Sequence, residues 1–93
     1  MEVQKSARFE QESLELLGED RRKPILEGLE WALLRSATLG QKVRGTDLRV
    51  WPLFPGDGYV YLAFYRIESE VVRLESLIKR PVPISPRVLD LED

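Results

Sequence analysis

The sequence contains no cysteine and no histidine among its 93 residues. Without cysteine the chain has no disulfide framework and no thiolate metal site. Without histidine it lacks the commonest general base and the commonest metal ligand. No apolar run approaches the ~20 residues that span a bilayer, and Met1–Lys5 lacks the apolar stretch of a signal peptide. We therefore expect a cytoplasmic protein that binds no metal and contacts no membrane, and we do not expect an imidazole-dependent hydrolase.

The composition that remains is that of an ordinary globular protein. Hydrophobic residues make up 43% of the chain and charged residues 32%, and a chain of this length forms one domain. The net charge is −2, with an acidic first part, a mildly basic middle from residue 40 to residue 89, and an acidic end. This small imbalance would not steer RNA strongly, so any nucleic-acid contact has to come from a local basic patch.

Two helices are predicted in the first half of the chain. Ser6 is a suitable N-cap for the first of them, and the apolar residues that follow, from Phe9 to Leu17, end at Gly18, where glycine stops a helix easily. The second helix is predicted from Pro24 to about residue 39, because apolar residues recur there at helical spacing. A short first strand at residues 3–5 is plausible only if it joins a sheet built later.

Three strands joined by tight turns are predicted in the second half, at residues 48–54, 59–67 and 71–78. Pro52 indicates an edge strand or a bulge, and residues 41–47 are predicted to form a loop. The Pro-rich tail at residues 81–93 is expected to contain no strand, although Ser85 could begin a short helical turn ending at Leu91. The fold class is therefore α+β in the order β-α-α-β-β-β, with two packed helices against a small antiparallel sheet whose other face is open.

Four segments of the chain carry a resemblance to a known family. They are the strand-to-helix step Ser6-Ala7-Arg8-Phe9, the loop glycine Val43-Arg44-Gly45 followed by Leu48-Arg49-Val50-Trp51, the strand from Gly58-Tyr59 to Phe64-Tyr65-Arg66-Ile67, and Val72-Arg73-Leu74 through Ile78-Lys79-Arg80. In this order they resemble the RelE/ParE superfamily of type II toxins, over residues 3 to about 80. The individual motifs are weak, and the resemblance depends on their succession.

The resemblance implies the toxin component of a type II toxin–antitoxin system, with a cognate antitoxin as partner and no metal or organic cofactor. Ribosome-dependent members are endoribonucleases that cut mRNA and so block translation. By position, Arg80 and Arg49 match the basic residues that stabilise phosphate charge during the reaction. Lys42 and Arg44 match the basic loop before the second strand of the family pattern.

Two departures from that pattern favour an alternative. The arginine usual early in the third strand is replaced in the region of Tyr61, and no tyrosine follows Arg80. These departures, with a sequence pI of about 5.2, are more compatible with the branch that inhibits DNA gyrase by binding alone. A catalytically degenerate interaction module with the same fold is the remaining alternative.

Four further residues have competing interpretations. Lys79 and Tyr61 are candidate nucleic-acid contacts, since tyrosines on a strand can stack exposed bases. A solvated lysine and a packed tyrosine are the ordinary alternatives. Trp31 and Trp51 are candidate anchors for a protein partner, because exposed tryptophans concentrate binding energy. Core packing is the alternative for both tryptophans.

Overall fold

The computed structural model of the chain describes residues 1–82. The helical turn predicted from Ser85 to Leu91 therefore lies outside the described residues. The described elements are β1 (Glu2–Lys5), α1 (Ala7–Ser36), a 3₁₀ turn (Ala37–Leu39), β2 (Gln41–Lys42), β3 (Arg49–Leu53), β4 (Tyr59–Glu68) and β5 (Val71–Pro81). The α+β class predicted from the sequence is confirmed.

The two predicted helices form one helical element, α1, which is broken at Gly18. Ser6 caps its start, and the Ser6 hydroxyl accepts a hydrogen bond from the amide of Phe9 at 3.0 Å. Gly18 has φ 80° and ψ 163°, a conformation open to glycine without steric cost. Arg22 Nε donates to Ser13 Oγ at 2.9 Å, although nine residues of straight helix would separate these positions by about 14 Å. The two arms of α1 are therefore folded back on one another at Gly18.

The sheet has five strands in the order β1-β5-β4-β3-β2. Strands β2 to β5 pair with one another in antiparallel fashion. Strand β1 is parallel to β5, in a register from Glu2 opposite Val71 to Lys5 opposite Leu74. The predicted antiparallel meander of the last three strands is confirmed, but the sheet as a whole is mixed and not antiparallel as predicted. After β1, the chain passes through the helical hairpin to β2 at the opposite edge of the sheet. The strands β2, β3, β4 and β5 then alternate in direction, and β5 lies beside β1.

The strand boundaries differ from the predicted ones in two places. The segment predicted as a loop at residues 41–47 begins with the two-residue strand β2. The last strand continues to Pro81, opposite Tyr59, and the next amide, that of Val82, donates to the carbonyl of Gly58 at 3.1 Å. Pro81 is tolerated because it stands at the end of the ladder, where a missing N–H costs little.

Both faces of the sheet carry apolar clusters. The face beneath α1 holds the main core, formed by Phe9, Leu17, Leu26, Leu29, Leu33 and Ala37 of the helical region with Tyr61, Ala63, Tyr65, Val72, Leu74 and Leu77 of the sheet. The opposite face, predicted to be open, carries the buried residues Val50, Val60 and Leu62 with Val43, Phe64 and Ile78 beside them. This second cluster forms because β4 is apolar on both of its faces.

Candidate functional site

Arg49 is engaged with the backbone rather than presented to solvent. Its Nη1 atom donates to the carbonyl oxygens of Thr38 and Gly40, at 2.9 Å in each case. These carbonyls belong to the 3₁₀ turn and the residue that follows it, where helix geometry leaves acceptors without intrahelical partners. The guanidinium therefore ties the end of the helical region to the first residue of β3.

Arg80 lies at the opposite end of the sheet. It is exposed on β5, opposite Val60 of β4, and it forms no ion pair with any residue between positions 1 and 82. Its side chain is free, within that part of the chain, to contact an anionic partner.

The structure does not bring the two predicted catalytic arginines together. Arg49 pairs with Tyr65 and Arg80 with Val60, so their rows are five residues apart along β4, a separation of roughly 17 Å. Successive residues of a strand point to opposite faces, so the odd-numbered row of Tyr65 and the even-numbered row of Val60 face opposite sides of the sheet. One phosphate cannot contact both guanidinium groups in this arrangement.

The remaining predicted cations divide between the same two places. Lys42 pairs with Arg49 across β2 and β3, and Arg44 lies exposed in the turn that follows. We call these three residues the β2 corner. Lys79 and Arg80 lie at the other extreme of the sheet, and we call them, with Tyr59, the β5 end.

At the β5 end, Lys79 shares one face of the sheet with Tyr59, whereas Arg80, the next residue of β5, points to the other face. Lys79 Nζ lies 4.0 Å from the centroid of the Tyr59 ring and 5.9 Å from that of Tyr61, within the range of cation–π attraction. Tyr59 is 39% exposed. Of the predicted residues, these are the ones whose surroundings best suit contact with an anionic ligand.

Tyr61 is fully buried, and its hydroxyl belongs to a polar cluster that the sequence did not predict. The hydroxyl donates to Asp57 Oδ2 at 2.6 Å, and Arg21 Nη1 lies 2.8 Å from the same oxygen. Asp57 Oδ1 accepts from the amide of Tyr59 at 3.1 Å. The buried ring presents no face for stacking on a base, in agreement with the core-packing alternative.

The charges of this cluster stabilise one another. The hydrogen bond from the Tyr61 hydroxyl, followed by that from Arg21, lowers the pKa of Asp57 to about 2, because both favour the ionised carboxylate. In turn, the hydrogen bond to Asp57 raises the pKa of Arg21. Arg21 and Asp57 are 36 residues apart in sequence, and no local pattern marks them as partners.

Tyr65 is the second fully buried tyrosine of β4. Its hydroxyl donates to the carbonyl of Ala37 at the start of the 3₁₀ turn. Burial raises the pKa of Tyr65, with a smaller opposing effect from the nearby Arg49 charge. Tyr65 and Arg49 thus fasten the same turn to neighbouring strands.

Charged residues elsewhere on the sheet are paired with one another. Arg66 Nε lies 2.9 Å from Glu75 Oε2 but makes no well-aligned hydrogen bond, and Arg66 Nη1 lies 3.4 Å from Asp47 Oδ2. Arg73 Nε lies 3.5 Å from Glu68 Oε1. These carboxylates offset the two arginines, which leaves the β2 corner and the β5 end as the basic parts of the described sheet.

The two tryptophans differ in exposure. Trp31 on α1 is 62% exposed, and the Arg35 guanidinium lies 4.6 Å from the centroid of its ring. Trp51 on β3 is half-buried against the main core and also lines a surface cleft. Trp31 therefore remains a candidate partner anchor, while Trp51 combines core packing with a partly accessible surface.

No protein-family model and no curated protein matches this chain. Within residues 1–82, no helix is both long enough and apolar enough to cross a bilayer. The same residues contain no group of three or more histidine, cysteine, aspartate or glutamate side chains placed to hold a metal ion.

Proposed function

We propose that the chain is a toxin-like protein of the RelE/ParE type that acts through protein contacts and is held inactive by a cognate antitoxin in the cytoplasm. The succession of one strand, a helical hairpin and an antiparallel meander supports this proposal. So does the position of β1, which joins the sheet beside the last strand and so gives the short first segment a structural role.

The placement of Arg49 and Arg80 favours a binding inhibitor over a ribonuclease. Cleavage of RNA by electrostatic stabilisation needs cations that converge on one scissile phosphate. Arg49 instead donates to two backbone carbonyls, and Arg80 occupies a distant row of the sheet. Among the targets that the family resemblance implies, DNA gyrase is therefore the one we propose first.

The β5 end supports a second candidate function, the mRNA endoribonuclease. Lys79 is exposed there beside the ring of Tyr59, and Arg80 is exposed at the next position of β5. Phosphate contacts by such cations hold RNA in place. In this version Arg80 would act without Arg49, with ribosomal RNA or other residues supplying the remaining charge stabilisation.

Induced expression in a bacterial host distinguishes these functions. We expect growth arrest with blocked replication and induced DNA damage, and no new mRNA ends when transcripts are mapped. Arg80→Ala and the matched variant Arg44→Ala, which removes an exposed cation at the other corner, are expressed in parallel.

New mRNA ends that vanish in Arg80→Ala but persist in Arg44→Ala would replace the gyrase proposal with the ribonuclease. Normal growth of cells that accumulate folded protein would exclude a toxin and leave the non-toxic interaction module.

A further inference from the structure

A cleft of about 390 Å³ opens beside the end of β2. Its lining residues are Leu39, Gly40, Gln41, Val50, Trp51, Pro52 and Leu62. Most of them are apolar, and Leu39 is 74% exposed. A cleft of this size is large enough for two or three apolar side chains and falls in the range of ligand-binding pockets.

The cleft exists because β2 is short. Only Gln41 and Lys42 pair with β3, opposite Val50 and Arg49, and the residues before them turn away in the 3₁₀ turn. Beyond Val50, the outer edge of β3 has no strand partner among residues 1–82. Exposed edges of this kind accept extended peptides.

Pro52 limits how a peptide could bind along this edge. It has no N–H, so it offers an added strand only its carbonyl. The main-chain bonding of an extended segment would therefore be incomplete, and most of its affinity would come from side chains that enter the cleft. This favours an occupant with bulky apolar residues over one that depends on backbone pairing.

The charge around the cleft indicates the rest of the occupant. Lys42 follows the lining residue Gln41, and Arg44 is close behind it. Both are exposed, and neither forms an ion pair with a residue of the described part of the chain. The nearest acid in sequence, Asp47, lies 3.4 Å from Arg66. Carboxylates on a partner would meet an uncompensated positive charge here.

We infer that this cleft binds an extended segment of a partner protein, which places apolar side chains against Leu39 and Trp51 and carboxylates near Lys42 and Arg44. The inference does not depend on the proposed toxin function, since it requires neither an antitoxin nor a gyrase or ribosome target.

Tryptophan fluorescence tests this inference directly. The Trp31→Phe variant removes the distant, exposed tryptophan, so that Trp51 at the cleft is the only indole that reports. The probe is the blocked peptide acetyl-Leu-Thr-Leu-Asp-Glu-amide. We expect a saturable change in Trp51 emission, and weaker binding by roughly ten-fold for the same peptide with two lysines at its end, equivalent to about 1.4 kcal/mol.

A neutral substitution on the cleft identifies the site. Leu39→Gln in the Trp31→Phe background should weaken binding of the acidic peptide about ten-fold, which is the usual scale for losing one buried apolar contact. Leu34→Gln, a change at a half-exposed leucine elsewhere on α1, should leave binding unchanged. Because Leu39 and Leu34 are largely exposed, we expect both variants to fold, and circular dichroism checks this.

Four results would overturn the inference. The first is no emission change up to millimolar peptide, and the second is equal peptide binding by the Leu39 and Leu34 variants. The third is self-association in sedimentation velocity that Leu39→Gln abolishes, since a second copy of the chain would then be the occupant. Binding of a uridine decamer that is insensitive to Leu39→Gln, without peptide binding, would likewise assign the basic side chains to RNA.

Discussion

Two fully buried tyrosines of β4, Tyr61 and Tyr65, are anchored to the helical region in different ways. The Tyr61 hydroxyl donates to an ionised carboxylate, that of Asp57, which also binds Arg21 of α1. The Tyr65 hydroxyl donates to a backbone carbonyl, that of Ala37. The contact of Tyr61 with Asp57, which we call the Tyr61 anchor, therefore depends on charge and on pH. The contact of Tyr65 with Ala37, which we call the Tyr65 anchor, depends on how closely the backbone approaches the ring.

The comparison also explains why Arg49 is unavailable to a substrate. A neutral tyrosine supplies one donor to the 3₁₀ turn, and two more carbonyls of the same region remain to be satisfied. Arg49 supplies those donors to Thr38 and Gly40. Beside Tyr61, the arginine instead comes from α1, and its partner Asp57 comes from the turn between β3 and β4.

The largest change in stability is expected from a substitution that fills the space around the Tyr65 hydroxyl. A Cβ atom at Gly40 would collide with that hydroxyl and with the ring behind it. The φ of Gly40 is −63°, so the penalty for alanine is steric only. We expect Gly40→Ala to lower the free energy of unfolding by about 3 kcal/mol, measured by urea denaturation followed by circular dichroism.

The matched control is Gly28→Ala, where a Cβ atom meets nothing within 4 Å. In the second arm of α1 this change should raise the free energy of unfolding by about 0.5 to 1 kcal/mol. If both glycine variants had the same stability, the tight fit between the 3₁₀ turn and β4 would be disproved.

Removing each hydroxyl in turn compares the two anchors directly. Tyr65→Phe leaves the carbonyl of Ala37 without its donor inside the core, and we expect a loss of about 2 kcal/mol in the free energy of unfolding. Tyr61→Phe should cost less, because Asp57 keeps its contact with Arg21 and is partly exposed to water. A greater loss of unfolding free energy in Tyr61→Phe than in Tyr65→Phe would show that the Tyr61 anchor contributes more to stability.

The smallest expected effect on stability is the pH dependence that comes from Asp57 in the Tyr61 anchor. The pKa of Asp57 is lowered from 3.8 to about 2 in the folded protein, so the unfolded chain takes up a proton first as the pH falls. The stabilisation from Asp57 is therefore complete above pH 4 or so and is lost as the pH falls toward about 2.

We expect the melting temperature of the wild type to fall more steeply between pH 5 and pH 2 than that of Asp57→Asn, which has no carboxylate to titrate. Tyr65→Phe should retain the steep wild-type profile, since its anchor carries no titrating acid. Parallel melting-temperature profiles for the wild type and Asp57→Asn would show that the contacts with Tyr61 and Arg21 do not lower the pKa of Asp57.

Local features of the fold were predictable from the sequence. Ser6 and Gly18 have the capping and breaking roles that their side chains and backbone freedom predict, and β4 coincides closely with its predicted range. These predictions depend on spacing and on residue type within a few positions, which is what periodicity reports.

Features that depend on partners distant in sequence were not predictable. The parallel pairing of β1 and the link between Arg21 and Asp57 each join residues that only the whole topology brings together. The distance between the two candidate catalytic arginines also depends on the topology. Arg49 and Arg80 each occupy a plausible strand position, but the register and the alternation of faces separate them.

The pairing of β1 with β5 has a consequence for how the protein forms on the ribosome. Residues 2–5 are synthesised long before their partners at residues 71–74. Until then the nascent chain must carry an unpaired strand next to a helical hairpin whose apolar stripe is only partly covered. Folding is therefore expected to be late and cooperative, and a ribosome stalled before residue 71 would hold a chain with no complete sheet.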